Sequence, residues 1–215
     1  MCVNFQTATS RELCHHFGVD YPVENQPEET WQDYLAPIVL LDDDGARICV
    51  PASYGLVPQM WKPPGVNKLS TMNARSETIG TLRNYKPFWQ ACQFCLVPVK
   101  YLYEPNYESG SHVRWRIGMV DDSIFAVAGI WRTWAREDGG IDCAFTQITI
   151  NADDHPLMRR FHKPLDEKRM LVIVPPEDYQ AWLSCRNPVM ARQFLRPYPA
   201  ERMDAAPAPR STISG

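Results

Sequence analysis

The second residue of the chain is a cysteine, and this position gives it a chemistry that an internal cysteine lacks. Removal of Met1, which is common before a small residue, leaves Cys2 with a free α-amine beside its thiol. The amine can capture an aldehyde as an imine, and the thiol then closes a thiazolidine ring. The amine titrates at about 7.7–8.0 and the thiol at about 8.5, so a reactive fraction of each exists at neutral pH. The alternative is that Cys2 is a buried cysteine that packs as a small hydrophobic side chain.

An amide and a guanidinium stand two residues apart in the run Asn73-Ala-Arg75-Ser-Glu-Thr. In an extended backbone, alternate side chains point to the same side, so Asn73 and Arg75 share one face. The run precedes a predicted helix, whose N-terminus favours an anion. Together these groups suit a phosphate or a carboxylate. A capping box beside a surface arginine explains the same pattern, and the sequence leaves both interpretations open.

Two further side chains are candidates for proton transfer. Glu104 ends an apolar and aromatic run, where partial desolvation would raise the pKa of its carboxyl into a useful range. His162 lies in a basic stretch and could act as a general acid or contact a phosphate. The alternatives are that Glu104 is a glutamate in water at the end of a strand and that His162 is a solvated histidine.

Basic residues alternate with aromatic ones at several places, a composition typical of a groove for single-stranded nucleic acid. In addition to Asn73 and Arg75, the candidate DNA contacts are Trp61, Lys62, Arg83, Lys86 and Arg160. An ordinary sheet with outward polar side chains is the alternative. The pair Cys92 and Cys95 is a lone C-x-x-C without a second pair at zinc spacing, so we expect neither a metal nor a cofactor.

The elements that must position these residues are mostly strands. Alternating apolar runs predict about seven strands joined by hairpins, without a β–α–β rhythm. We therefore expect an α+β domain built on a curved, largely antiparallel, barrel-like sheet with short flanking helices. The helices are predicted over residues 9–17, closed by Gly18, and over residues 78–91, 153–161 and 175–184. This single domain spans residues 1–202, and residues 203–215 form a disordered tail because their composition offers little to bury.

Composition limits the classes of protein to which the chain can belong. Its 215 residues carry 22 Lys and Arg against 25 Asp and Glu, a formal net charge of −3, which excludes a histone-like DNA binder but leaves a local basic patch open. No apolar run reaches the roughly 18 residues of a membrane span, and the first residues lack the pattern of a secretory signal. The seven cysteines are an odd number, so we expect reduced thiols and a cytoplasmic protein without membrane contact.

Taken in chain order, Cys2, the run from Asn73 to Thr78, Glu104 and His162 resemble the SOS response-associated peptidase (SRAP) family. The run Tyr-Gly-Leu-Val-Pro at 54–58 is similar to the Trp-Gly-Leu-x-Pro of that family. Residues 161–174 (FHKPLDEKRMLVIV) resemble its histidine-containing segment, which leads into a strand. The resemblance extends over residues 1–185.

The resemblance implies a monomer that senses abasic sites in single-stranded DNA during the DNA-damage response, and that associates with the nucleoid when bound. The mature N-terminal Cys2 would condense with the ring-opened sugar aldehyde to form a thiazolidine DNA–protein crosslink. Asn73 and Arg75 would hold the flanking phosphate and the sugar. His162 would assist opening of the deoxyribose hemiacetal and protonate its oxygen. Glu104 would shuttle protons in imine formation, in crosslink reversal and in removal of Met1, the self-cleavage to which the word peptidase would refer.

Three features depart from the family pattern. Val3 stands where glycine is frequent, and Pro105 follows Glu104 where an aromatic residue, usually Trp, is common. The segment between His162 and Arg169 is longer than in the best-known members. Two other functions stay open beside crosslinking, namely a cysteine-type peptidase that acts in trans and a non-covalent single-stranded DNA-binding module.

Overall fold

The structure is a computed structural model of the chain and describes residues 3–21, 26–66 and 69–210. Cys2, on which the prediction of a crosslink depends, lies outside the described residues. The last five residues of the predicted tail, 211–215, also lie outside them.

The described residues form twelve strands and four α-helices. The strands are β1 (Phe5–Thr7), β2 (Glu29–Thr30), β3 (Leu35–Leu41), β4 (Arg47–Tyr54), β5 (Asn73–Arg75), β6 (Phe94–Asn106), β7 (Val113–Met119), β8 (Phe125–Ala135), β9 (Ile141–Asn151), β10 (Arg169–Leu171), β11 (Ile173–Val174) and β12 (Met203–Pro207). The helices are α1 (Ser10–Phe17), α2 (Lys86–Gln90), α3 (Tyr179–Ser184) and α4 (Pro188–Ala191). The sequence indicated fewer strands because strands of two or three residues have no readable alternation.

Five of the strands close into a barrel, in the cyclic order β6, β8, β9, β4 and β3. Four of the five pairings in this ring are antiparallel, and β4 runs parallel to β9. Closure removes the exposed strand edges of an open sheet. The interior is filled by fully buried apolar side chains, for example Ile38, Leu96 and Phe145. The predicted α+β fold on a curved, largely antiparallel, barrel-like sheet is therefore confirmed.

Strand β6 is long enough to serve both the barrel and the region outside it. Its first half, residues 94–99, pairs with β8 inside the ring. Its second half pairs with β1 on one side and with β7 on the other. Glu104 lies in this second half, opposite Trp115 of β7. Strand β6 thus extends from the barrel into the neighbouring sheet, and Glu104 lies in this extension.

The first helix follows its sequence signals closely. Thr9 is the N-cap of α1, and its side chain and that of Glu12 form a capping box. Gly18 ends the helix at φ 69°, a left-handed conformation that favours glycine. Both predicted ends of this helix are confirmed.

Two predicted helices are shorter than their patterns indicated. Over residues 78–91 only α2 is helical, preceded by a series of turns. Gly80 weakens a helix in this run, whereas Pro87 fits the first turn of a new one. Over residues 153–161 the structure has only a 3-10 turn, Met158–Arg160. The ring of His155 there accepts hydrogen bonds from two main-chain N–H groups, which competes with helical bonding.

The prediction of a disordered tail from residue 203 is wrong for the first part of that segment. Residues 203–207 form β12, which pairs antiparallel with β7, and Met203 is buried. The edge of β7 offers main-chain donors and acceptors that a strand of small residues can satisfy without a core of its own. The sheet therefore continues past residue 202.

Across the residues that the structure describes, no helix has the length and apolar character needed to cross a bilayer.

Candidate functional site

Glu104 is buried in the second half of β6, with 4% of its surface exposed. Its Oε2 atom lies 3.5 Å from Nδ1 of His162. Burial disfavours the charged carboxylate and raises the pKa of Glu104 to about 7. Close to half of these carboxyl groups are therefore protonated at neutral pH, which allows Glu104 to give or take a proton.

His162 is held beside Glu104 by its own backbone. Its N–H donates to the carbonyl of Pro105 at 2.9 Å, and its φ of 65° lies in the left-handed region, which few residues other than glycine adopt. Burial lowers the pKa of the imidazole to about 4, so the ring is neutral at pH 7. Nε2 lies 3.3 Å from the carbonyl of Arg169, which assigns the ring proton to Nε2 and makes Nδ1 the acceptor that faces Glu104.

The contact between Glu104 and His162 is therefore not an ion pair at neutral pH. A neutral imidazole with an acceptor nitrogen faces a carboxyl group that is about half protonated. A proton transfer from this carboxyl to the imidazole would create two buried charges, a carboxylate and an imidazolium, so burial holds the imidazole neutral and leaves Glu104 as the group that gains or loses a proton near pH 7.

An open cavity of about 700 Å³ lies beside Glu104. Val3, the residue that follows Cys2 in the chain, lines this cavity together with Glu104, Tyr103 and Arg114. The guanidinium of Arg114 stacks on the ring of Tyr103, 3.4 Å from its centroid. The wall of the cavity thus combines a cation, an aromatic ring and a carboxyl group with a raised pKa.

The Asn73 and Arg75 side chains lie on one side of β5, as alternation along a strand predicts. The strand runs parallel to β9, with Asn73 beside Gln147, and Ala74 between the two polar residues is fully buried. Asn73 is half-buried and Arg75 is exposed. The guanidinium of Arg75 forms an ion pair with Glu167 at 2.7 Å.

Arg169 connects this strand with His162. Its buried guanidinium donates to both carboxylate oxygens of Glu77 at 2.8 and 2.9 Å, to Glu167 at 2.8 Å and to the carbonyl of Thr149 at 2.8 Å. Its own carbonyl faces the ring of His162. The hydrogen bonds from Arg169 lower the pKa of Glu77 to about 2. The Asn73 run and the histidine segment are therefore parts of one hydrogen-bonded unit.

Sequence reasoning did not single out Arg169 or Glu77 as site residues. Glu77 is part of the Asn73 to Thr78 run, and Arg169 lies within the histidine segment, so the signal was present in the two motifs. What the sequence could not reveal is that residues 92 positions apart form a bidentate pair.

The remaining candidate DNA contacts lie in different places. Arg160 is beside the Glu104–His162 pair, because its carbonyl accepts a hydrogen bond from Asn106 of β6 at 3.1 Å. Trp61 stacks on Trp134 at a centroid distance of 5.1 Å and lines a second cavity, of about 640 Å³. Lys62 follows Trp61 and donates to Gln59, whereas Arg83 and Lys86 are exposed before and at the start of α2.

Metal-binding groups do not gather anywhere in the described ranges. Within them, no cluster of three or more His, Cys, Asp and Glu side chains is arranged to hold an ion. The six described cysteines are free thiols, and Cys92 and Cys95 are both buried.

The sequence of the chain is similar to a family model and to individual relatives. The chain matches the family model described as SOS response associated peptidase (SRAP) over residues 1–212. It is 29% identical over 156 residues to the abasic site processing protein YobE of Bacillus subtilis (strain 168), a match covering 71% of this chain and 67% of YobE. It is 27% identical over 215 residues to the abasic site processing protein YoaM of the same organism, covering 95% of this chain and 89% of YoaM.

Two solved structures are also similar to the chain. A crystal structure of a Bordetella bronchiseptica protein superposes with a TM-score of 0.87 at 32% identity, covering 96% of this chain and 99% of that one. A Bacteroides thetaiotaomicron protein superposes with a TM-score of 0.74 at 21% identity, covering 96% and 91%, and shares the fold.

Proposed function

This chain belongs to the SOS response associated peptidase family, and from that premise we propose that it processes abasic sites in DNA as part of the response to DNA damage. Two relatives are named abasic site processing proteins, which supports this assignment. We further propose that the substrate is single-stranded DNA and that the product is a covalent crosslink to Cys2. The observation that carries the finer proposal is that Val3, bonded to Cys2, lines the cavity of Glu104.

The proposed crosslink forms in two stages, and no external oxidant or reductant is needed. The α-amine of Cys2 adds to the C1′ aldehyde of the ring-opened deoxyribose, and the resulting carbinolamine loses water to give an imine. The thiol then adds to the protonated imine, so that sulfur bonds to C1′, nitrogen keeps its proton as an amine, and the thiol proton goes to the base that had protonated the leaving hydroxyl. The product is protein plus DNA minus one water.

Glu104 would supply and recover the protons of these stages. With its pKa near 7, the protonated carboxyl can donate to the carbinolamine hydroxyl as it leaves as water. The resulting carboxylate can take a proton back from the thiol. The same exchanges in reverse would release the DNA.

His162 would act earlier, when the closed sugar opens. A neutral imidazole can take the hydroxyl proton of the hemiacetal and return a proton to the ring oxygen as the C1′–O4′ bond breaks. The low pKa of His162 keeps the ring in this neutral form. Asn73 and Arg75 would hold the sugar and its flanking phosphate, since an amide and a guanidinium supply matching donors.

Intact-mass spectrometry tests this function directly. Protein whose mass confirms the loss of Met1 is mixed with single-stranded DNA that carries one abasic site. We expect a species with the mass of protein plus DNA minus one water, absent for Cys2→Ala and retained for Cys14→Ala, which removes an exposed cysteine of α1.

An unshifted mass for the wild-type protein would overturn the crosslink. Cleavage of a generic peptide that depends on Cys2 would then favour a peptidase acting in trans. Binding that survives Cys2→Ala and ignores the abasic site would favour a non-covalent module.

A further inference from the structure

Three arginines that the sequence or the cavity assigns to the candidate site, Arg75, Arg114 and Arg160, each have a carboxylate as a partner of the guanidinium. The pairs are Arg75 with Glu167 at 2.7 Å, Arg114 with Glu29 at 2.5 Å, and Arg160 with Glu108 at 2.9 Å. A carboxylate presents two oxygens to a guanidinium in the way that a phosphate does. The three glutamates therefore stand where the phosphates of a bound strand would be expected to stand.

The pair of Arg160 and Glu108 has the most complete geometry. Nε and Nη2 of Arg160 each donate to one oxygen of Glu108 at 2.9 Å, which is a two-pronged contact. Both side chains are largely exposed, at 36% and 49%. The guanidinium of Arg160 also lies over the ring of Trp115, the residue opposite Glu104. A strand that enters beside Glu104 would therefore meet this pair.

Glu29 contacts three donors of the cavity wall. Besides Arg114 it accepts from Asn4 at 2.8 Å and from Arg210 at 3.3 Å. Asn4, Arg114 and Arg210 all line the cavity of Glu104. One carboxylate thus occupies three donors at the wall of the candidate site.

Glu167 lies on the segment between His162 and Arg169. It bridges the exposed guanidinium of Arg75 and the buried one of Arg169. Arg75 is one of the two residues expected to hold the phosphate and sugar.

We propose that Glu29, Glu108 and Glu167 are specificity-determining residues, which hold the arginines of the site as internal substitutes for DNA phosphates. The inference rests on the proposed function. An undamaged strand must displace these carboxylates and gains only phosphate contacts in return. A strand with an abasic site must displace them too, but the covalent step then retains it.

Physical chemistry supports both the stability and the reversibility of this arrangement. Hydrogen bonds from Arg160 lower the pKa of Glu108 to about 2, and those from Arg169 lower the pKa of Glu167, so both stay ionised at neutral pH. The more exposed pairs, those of Arg75 and Arg160, nevertheless contribute little net free energy, because water screens them. A phosphate can therefore replace the carboxylate without unfolding any element.

The test compares binding of an undamaged single-stranded oligonucleotide by wild-type protein, Glu29→Gln, Glu108→Gln and the double variant. We expect each glutamine to raise affinity at low salt by up to about fivefold. The slope of log affinity against log salt should steepen by about 0.7 for each arginine released to a phosphate. Glu167→Gln should act in the same direction, with Arg169 still held by Glu77.

A matched control separates this effect from net charge. Asp178→Asn changes the charge by the same amount and releases Arg196, an exposed pair near α3 that does not line the cavity of Glu104. An equal gain for Asp178→Asn, or unchanged affinity and slope in the glutamine variants, would overturn the inference. Adding Arg160→Gln to Glu108→Gln should cancel the gain.

Crosslink formation by the same proteins distinguishes this inference from the proposed function. If the wild-type protein crosslinks abasic DNA while the glutamine variants bind undamaged DNA no better, the inference fails alone. If no protein crosslinks abasic DNA, the proposed function fails, whatever the binding of the variants. Thermal unfolding of each variant checks that all are folded.

Discussion

Burial moves the pKa values of Glu104 and His162 in opposite directions, toward about 7 for the carboxyl and about 4 for the imidazole. Desolvation opposes charge, so it favours the acid form of one group and the base form of the other. Two ordinary side chains become a pair of neutral partners 3.5 Å apart. At the scale of single residues, this is the chemistry that the proposed site would offer to Cys2.

These two pKa shifts predict opposite effects of pH on stability. Between about pH 4.5 and 7 the native state holds a proton on Glu104 that the unfolded state has lost, so this contribution makes stability fall as pH rises, by about 3 kcal/mol in total. Between about pH 4 and 6.5 the native state lacks a proton on His162 that the unfolded state holds, so this contribution makes stability rise by a similar amount. The two contributions nearly cancel in the wild-type protein over the range they share.

Single variants should expose the two contributions. We expect the stability of Glu104→Gln to rise from pH 4 to 6.5, and that of His162→Gln to fall from pH 4.5 to 7, each relative to the wild-type protein. Urea denaturation across this pH range measures both. Parallel pH profiles for the three proteins would contradict the assigned pKa shifts.

The rate of crosslinking should report the same carboxyl. If protonated Glu104 is the proton donor, the wild-type rate falls above about pH 7, and Glu104→Gln reacts more slowly without that inflection. Initial rates with abasic single-stranded DNA across pH 5–9 measure this. An unchanged rate and an unchanged profile in Glu104→Gln would remove Glu104 from the mechanism.

At the scale of secondary-structure elements, β12 was the strand least expected from the sequence. The segment DAAPAP has no alternation of large apolar and polar side chains, so it resembles a tail. Its first four residues, together with Met203, nevertheless pair with β7, whose opposite edge pairs with the part of β6 that carries Glu104. The same segment leads to Pro209 and Arg210 in the cavity wall.

Ending the chain at residue 202 should therefore destabilise the protein. The deletion removes the main-chain hydrogen bonds of β12 and the buried side chain of Met203, and we expect a loss of about 2–4 kcal/mol. Urea denaturation measures the loss, and a chain that ends at residue 210 is the control because it keeps the whole strand. Equal stability of the two chains would show that the pairing contributes nothing.

At the scale of the whole molecule, the barrel brings together segments that are far apart in the chain. Glu104 comes from β6, His162 from the segment before β10, and the Asn73 run from β5. Arg169 joins two of these three segments through hydrogen bonds to Glu77 and through its carbonyl to His162. The geometry of the site depends on this long-range connection.

Replacing Arg169 should disturb both stability and chemistry. Arg169→Met removes one of the two hydrogen bonds to the carbonyl of Thr149 and separates Glu77 from the histidine segment, so we expect a loss of about 1–3 kcal/mol and slower crosslinking. Arg196→Met removes an exposed ion pair and should cost less than about 1 kcal/mol. Denaturation and crosslinking rates of the two variants, measured side by side, check this difference. Identical behaviour would contradict a positioning role for Arg169.

The sequence by itself determined the features that depend on neighbouring residues. Thr9 with Glu12 and Gly18 define α1, because caps are local properties. The order of the motifs was also sufficient to identify the family. Local patterns overestimated the helix at 78–91, where Gly80 and Pro87 favour turns followed by a shorter helix.

Only the tertiary structure decided the properties that depend on distant residues. The pKa values of Glu104 and His162, the pairing of Arg75 with Glu167 and of Arg160 with Glu108, and the strand formed by residues 203–207 belong to this group. All of these properties have the same physical reason. Burial and charge pairing are set by what the folded chain places nearby, and the partners here are separated by tens of residues in the sequence.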